Sequence, residues 1–129
     1  MSSVFTYIDP RQATVQTQLV RVQRKQLQKT YLMTWLTQFR SEYVNFCLQV
    51  ANVYEDSTNE ELYELQKIGL TIRFMLSTKN IKQKDLRDAL EKFWIFIKAQ
   101  NYSEKQFQEE LFILHHFVEN VIESVEDQL

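Results

Sequence analysis

Apolar residues recur along almost the whole chain at intervals of three and four positions. Because successive residues of an α-helix are turned by about 100°, this spacing places them on one helical face. The pattern predicts a long first helix to Tyr54, then helices over residues 59–77 and 81–100 and a last helix after Ser103. The apolar positions of the first helix are Val20, Leu27, Tyr31, Trp35, Phe39, Tyr43, Phe46, Val50 and Val53.

Residues with helix-capping chemistry mark the ends of these segments. Pro10 suits the first position of a helix, and Ser103 with Gln106 forms a capping box. Apolar residues thin out in the first half of the long segment, which predicts either one helix or two helices with a break near Lys29 and Thr30. Gly69, in the middle of the second helix, suggests a place where two helices cross closely.

The composition supports a wholly helical protein. The chain has 129 residues but only one glycine and one proline, so it lacks the turn residues that sheets and hairpins need. A chain of this length suits a single hydrophobic core. We therefore predict an all-α fold, a four- to five-helix bundle with a long N-terminal helix. Residues 1–9 form an N-terminal arm, and residues 10–129 form a single helical-bundle domain.

Five consecutive apolar residues, from Phe93 to Ile97, occupy every side of the third predicted helix. A helix that is apolar all round has to be covered all round. It is therefore either the central helix of the bundle or a helix with one face docked onto another chain. Aromatic residues are common anchors of protein interfaces. The candidate protein-interaction residues are Trp94, Phe96, Trp35 and Phe39.

Charge is distributed in blocks, although the formal net charge is only −2. Residues 1–40 carry six bases and one acid, and residues 41–66 carry six acids and no base. Residues 67–100 carry a net +5 and residues 101–129 a net −6. In the first block, Arg21, Arg24, Lys25 and Lys29 form a basic stripe. Such a stripe is a candidate contact for nucleic-acid phosphates or for an acidic protein partner.

Residues that carry chemistry are scarce. Cys47 is the single cysteine and has no histidine near it in sequence, so it is predicted to be a small buried residue. His115 and His116 are adjacent, point about 100° apart on a helix and cannot serve one metal together. Phosphate-binding, zinc-protease and serine-hydrolase motifs are absent from the sequence. We predict that the protein is not an enzyme and has no metal site and no cofactor.

These patterns favour a small non-enzymatic protein-interaction module: an adaptor, regulator, inhibitor or assembly subunit. It would act through apolar helix faces and complementary charged faces, on another protein or on a second copy of itself as a homodimer. The alternative is a helical subunit of a nucleoprotein complex that contacts RNA or DNA phosphates through residues 21–29. The longest apolar run has five residues, so we expect no membrane span and a cytoplasmic location.

Overall fold

The computed structural model describes residues 10–129, so the N-terminal arm at residues 1–9 lies outside the described residues. The described chain is all-helical and contains four helices, the lower of the two expected numbers. The expected alternative of a break near Lys29 and Thr30 does not occur, because the first helix is continuous. The helices are α1 Pro10–Glu55, α2 Asn59–Met75, α3 Ile81–Ala99 and α4 Glu104–Glu126.

Side-chain caps explain where the later helices begin. The hydroxyl oxygens of Thr58 and Ser103 accept hydrogen bonds from the backbone N–H groups three residues later. The Gln106 side chain also accepts from the Ser103 N–H (2.9 Å), which confirms the predicted capping box at the start of α4. Asn80 caps α3 in the same way. Each of these three helices therefore starts at a residue whose side chain satisfies an otherwise unpaired N–H group of the first turn.

The four helices form a ring around one core. α1 packs against α2 and α4, and α3 packs against the same two helices. The connections are short, with three residues between α1 and α2, as expected for an antiparallel up-and-down bundle. Rings from opposite helices meet in the middle, where Phe46 of α1 and Phe93 of α3 have centroids 5.9 Å apart.

α3 is one of four equivalent helices in the ring and is not a central helix. Phe93 and Ile97 are buried, Trp94 and Phe96 are half-buried, and Ile95 is 60% exposed. In a ring of four helices each helix has a solvent side, so one residue of an all-round apolar run has to face water. Single exposed apolar residues of this kind are ordinary in folded proteins.

α1 is far longer than the bundle that it belongs to. Its contact with the end of α2 is made by Trp35, whose indole N–H donates to the Met75 carbonyl oxygen (3.1 Å). Every residue from Pro10 to Tyr31 is exposed. We call residues 10–34 the projecting segment. At about 1.5 Å per residue it is about 37 Å long.

Candidate protein-interaction surface

One side of α1 builds the core and loses its apolar character where the bundle ends. We call this side the core line. Between Trp35 and Glu55 it carries buried apolar residues at the spacing of a helical face: Leu36, Phe39, Tyr43, Phe46, Val50 and Val53. The same line continues into the projecting segment as the half-buried Leu32 and then as exposed polar residues: Gln28, Lys25, Arg21, Gln18 and Thr14. The projecting segment therefore does not offer an apolar core face for additional helices of a bundle.

The opposite side of α1 does not change composition where the bundle ends. It is uncharged along nearly the whole helix. Eleven positions spaced three or four residues apart lie along this side, and we call them the outer line. All eleven are exposed and none is charged. They are Val15, Leu19, Val22, Gln26, Thr30, Met33, Thr37, Ser41, Val44, Leu48 and Ala51. Depletion of charge, combined with exposed apolar side chains, is characteristic of the centre of a protein interface.

Two of the four polar side chains on the outer line, Thr30 and Thr37, already donate hydrogen bonds within α1. The Thr30 hydroxyl donates to the Gln26 carbonyl oxygen, and the Thr37 hydroxyl donates to the Met33 carbonyl oxygen, both at 2.9 Å. A hydroxyl whose hydrogen is already donated within its own helix leaves no unpaired donor when it is covered. Burial of a hydroxyl costs mainly through lost hydrogen bonds, so these threonines can lie in an interface at a small energetic penalty.

The basic stripe lies on the projecting segment, between the two lines and along the core line. Arg21, Arg24, Lys25 and Lys29 are all exposed. No acidic residue occurs in α1 before Glu42. The structure thus brings the four predicted bases together on one helix outside the bundle, where an anionic partner can reach them.

An acidic edge on α4 lies beside the bundle half of α1. Arg40 of α1 forms an ion pair with Glu126 (3.2 Å). Tyr43 and His115 are hydrogen-bonded between Oη and Nδ1 (2.8 Å), and His115 Nε2 lies 3.9 Å from Glu119 Oε1. Glu119, Glu123 and Glu126 are exposed along this edge.

The predicted aromatic site residues do not form one surface. Phe39 is completely buried, so we assign it to the core, where its ring stacks on Trp35 with centroids 4.9 Å apart. Trp35 is half-buried at the end of the bundle. Trp94 and Phe96 are two residues apart on α3 and therefore point to different sides of that helix.

Trp94 lies in a groove between α2 and α3, and Phe96 lies in an aromatic cluster. The Phe96 ring is 5.0 Å from that of Tyr102, which in turn is 5.7 Å from Phe107 at the start of α4. The groove is lined by Phe46, Leu65, Gln66, Gly69, Leu70, Arg73, Leu90, Phe93 and Trp94.

Two groups in α1, the Tyr43 phenol and the Cys47 thiol, are held in neutral form by burial. Burial raises the pKa of the Tyr43 phenol well above its ordinary value, and burial also raises the pKa of the half-buried Cys47 thiol. A raised thiol pKa reduces the thiolate fraction that a nucleophile requires. Within residues 10–129, no three His, Cys, Asp or Glu side chains come together as a metal site.

The outer line is the feature that core-directed reading of the sequence misses. Its signal is visible in the sequence as uncharged residues at helical spacing from Val15 to Ala51. That spacing runs parallel to the core pattern on the other side of the same helix. The absence of charged residues at these positions is the sequence signal that distinguishes the outer line.

Comparison of the chain with known protein families, with curated proteins and with solved structures finds no match. Among residues 10–129, no helix is both long enough and apolar enough to cross a membrane.

Proposed function

We propose that this protein is a small non-enzymatic protein-interaction module, an adaptor, regulator, inhibitor or assembly subunit, that binds protein through α1. The observation that supports this proposal is the outer line, an exposed and uncharged helix face about 55 Å long from Val15 to Ala51. A face that only contacts water gains solubility from charged residues. A face that is covered by a partner gains from apolar area and avoids the desolvation of charges.

The projecting segment strengthens the proposal. Most helical stability in proteins comes from tertiary packing, and the projecting segment has little of it, because residues 10–31 are all exposed. It also contains several β-branched residues, Val15, Val20 and Val22 among them, which lower helix propensity. A partner that covers Leu19 and Val22, which are 54% and 51% exposed, supplies the missing packing.

Site-specific photo-crosslinking tests this proposal. A benzophenone amino acid is placed at Leu19 on the outer line or at Tyr63 on α2, which are similarly exposed at 54% and 60%. In cells that naturally contain the protein, Leu19 is expected to crosslink to a polypeptide that mass spectrometry identifies, and Tyr63 is not. Equal or absent polypeptide crosslinking at the two positions would overturn the proposal.

A second candidate function is a nucleoprotein subunit, and the exposed stripe of Arg21, Arg24, Lys25 and Lys29 favours it. Phosphate binding loses affinity steeply with salt, by about 0.9 logarithmic units per neutralised phosphate for each tenfold rise in salt. Fluorescence anisotropy with labelled RNA and duplex DNA measures this slope. Lys25→Gln with Lys29→Gln is expected to lower the slope by about 2 on duplex DNA, if both lysines contact phosphates. No binding at low salt would exclude this candidate.

A further inference from the structure

The outer line is symmetric about its middle residue, Met33. Each apolar position on the N-terminal side has an apolar counterpart at the same distance, within one residue, on the C-terminal side. The polar positions nearer to Met33 are matched in the same way. The matched positions are Val15 with Ala51, Leu19 with Leu48, Val22 with Val44, Gln26 with Ser41 and Thr30 with Thr37.

This symmetry is what a two-fold interface between identical chains requires. In such an interface, residue i of one copy contacts residue j of the other, and j contacts i in return. A two-fold axis through Met33, perpendicular to α1, places a second α1 antiparallel on the first. Apolar residues then meet apolar residues over both halves. A partner of different sequence would impose no relation between Leu19 and Leu48.

The centre of the outer line has the shape for a close approach of two helices. A shallow depression is lined by Met33 and by polar side chains, most of them small: Thr30, Thr34, Thr37, Ser41 and the larger Gln38. The flexible Met33 side chain of a second copy can fill such a depression, since methionine adapts to irregular gaps. The Thr30 and Thr37 hydroxyls already donate within their own helix.

Charge selects the antiparallel arrangement over the parallel one. About three turns beyond Lys29, the edge of α1 that carries Lys25 and Lys29 becomes the edge on which α4 packs through Arg40 and Tyr43. A two-fold rotation about Met33 keeps this edge on the same side and reverses its direction. Lys25 and Lys29 of one copy then lie beside the acidic edge of the other, near Glu119 and Glu123.

A parallel pair, whose two-fold axis runs along α1, would instead place the two basic stripes at the same height on opposite flanks of the interface. Arg21, Lys25 and Lys29 of each copy would then lie far from the partner's acidic edge, with no acid in α1 before Glu42 to offset them. In the antiparallel pair, the base nearest the partner's lysines is Arg40. Glu126 already neutralises Arg40 within its own chain.

We propose that the outer line is the interface of an antiparallel homodimer, with Met33 on its two-fold axis and with each projecting segment on the back of the other copy's bundle. This inference rests on the proposed protein-interaction function and names its partner, a second copy of this chain. A contact about 55 Å long and about 10 Å wide on each copy buries about 1,000 Å² in total. That area is at the lower limit of about 1,000 Å² for a biological interface.

Cysteine pairing tests the register and the direction. In a Cys47→Ala background, Leu19→Cys and Leu48→Cys are made separately, then oxidised alone and as a mixture. Both sites are exposed, so the variants are expected to fold. The antiparallel dimer forms the Leu19–Leu48 disulfide only in the mixture, because only there do the two sites approach within about 7 Å. Met33→Cys is expected to crosslink to itself.

Two results would overturn the dimer. Self-crosslinking of Leu19→Cys would indicate a parallel pair, and no crosslink in any combination, with a monomer mass by light scattering, would show that no second copy binds. In that second case, the photo-crosslinking at Leu19 still decides the proposed function. A crosslink to a different polypeptide would retain the interaction module and reject self-association.

A charge exchange tests the role of the acidic edge. Lys25→Glu with Lys29→Glu in one chain, and Glu119→Lys with Glu123→Lys in another, are each expected to weaken the homodimer at least tenfold. Mixing the two variants should restore a heterodimer with near wild-type affinity, because both contacts regain opposite charge. If the mixture stays as weak as either variant, the bases do not lie beside α4 and the antiparallel placement is wrong.

Discussion

The two halves of α1 differ on one side of the helix and agree on the other. On the core line, the bundle half carries the buried Phe39, Tyr43 and Phe46, while the projecting segment carries the exposed Arg21 and Lys25. On the outer line, both halves are exposed and uncharged. The side that packs in the bundle thus changes composition where the bundle ends, and the other side does not.

This difference indicates that the two sides of α1 have different packing partners. Packing within the bundle explains the core line, since apolar residues stop where the other helices stop. It cannot explain the outer line, because the outer line continues unchanged past the end of the bundle. A partner that covers both halves of α1 equally would explain why the outer line is uncharged along its whole length. The proposed antiparallel homodimer provides such a partner.

The largest expected effect separates the two halves of the core line. Phe39→Ala removes a completely buried ring and should lower the free energy of unfolding by about 3–5 kcal/mol. Arg21→Ala changes an exposed residue on the same line and should alter it by less than about 0.5 kcal/mol. Urea unfolding measures both. Comparable losses would mean that the projecting segment belongs to the cooperative core.

The next effect concerns the outer line. Met33→Glu places two charges on the proposed two-fold axis and should give a monomer, with Met33→Leu as the control that retains the dimer.

Without a partner, the amide protons of residues 10–34 should exchange nearly unprotected, because a lone helix of this composition opens at almost no free-energy cost. Residues 35–55 should keep their protection. Protection of residues 10–34 in monomeric Met33→Glu would show a helix that needs no partner.

The sequence was sufficient for the fold and insufficient for the surface. Helical spacing and caps such as Ser103 with Gln106 are local, so the helices and the all-α class could be predicted. Whether an apolar residue lies in a core or on a surface depends on neighbours far away in sequence. Phe39 and Trp94 therefore appeared equally suited to an interface, although Phe39 is buried and Trp94 lies in a groove.

A pH effect should also distinguish the halves of α1. Burial raises the pKa of Tyr43, so above about pH 10 the unfolded chain ionises while the folded chain keeps the proton. The contribution of this phenol to the free energy of unfolding is therefore fully present below about pH 10. Above that pH the free energy of unfolding falls by up to about 1.4 kcal/mol per pH unit. Tyr43→Phe should reduce the slope. Tyr31→Phe, at an exposed position on the projecting segment, should leave it unchanged.

Unfolding in urea at pH 8 and at pH 10.5 measures this slope for the wild type and both variants. Burial raises the pKa of the Cys47 thiol as well, so part of the loss should remain in Tyr43→Phe. An identical slope in Tyr43→Phe and the wild type would show that the phenol ionises equally in both states.

The smallest effect uses helix propensity as a probe of cooperativity. Gly69 faces Phe46 of α1, but the packing there does not require glycine, because an added Cβ would lie 3.6 Å from Phe46 Cε2, an ordinary contact. Gly69→Ala should therefore raise the free energy of unfolding by about 1 kcal/mol. Thr17→Ala also raises helix propensity, but at a position on the projecting segment, outside the bundle. In a monomeric Met33→Glu background it should not change bundle unfolding, and a gain there equal to that of Gly69→Ala would show that α1 unfolds as one unit.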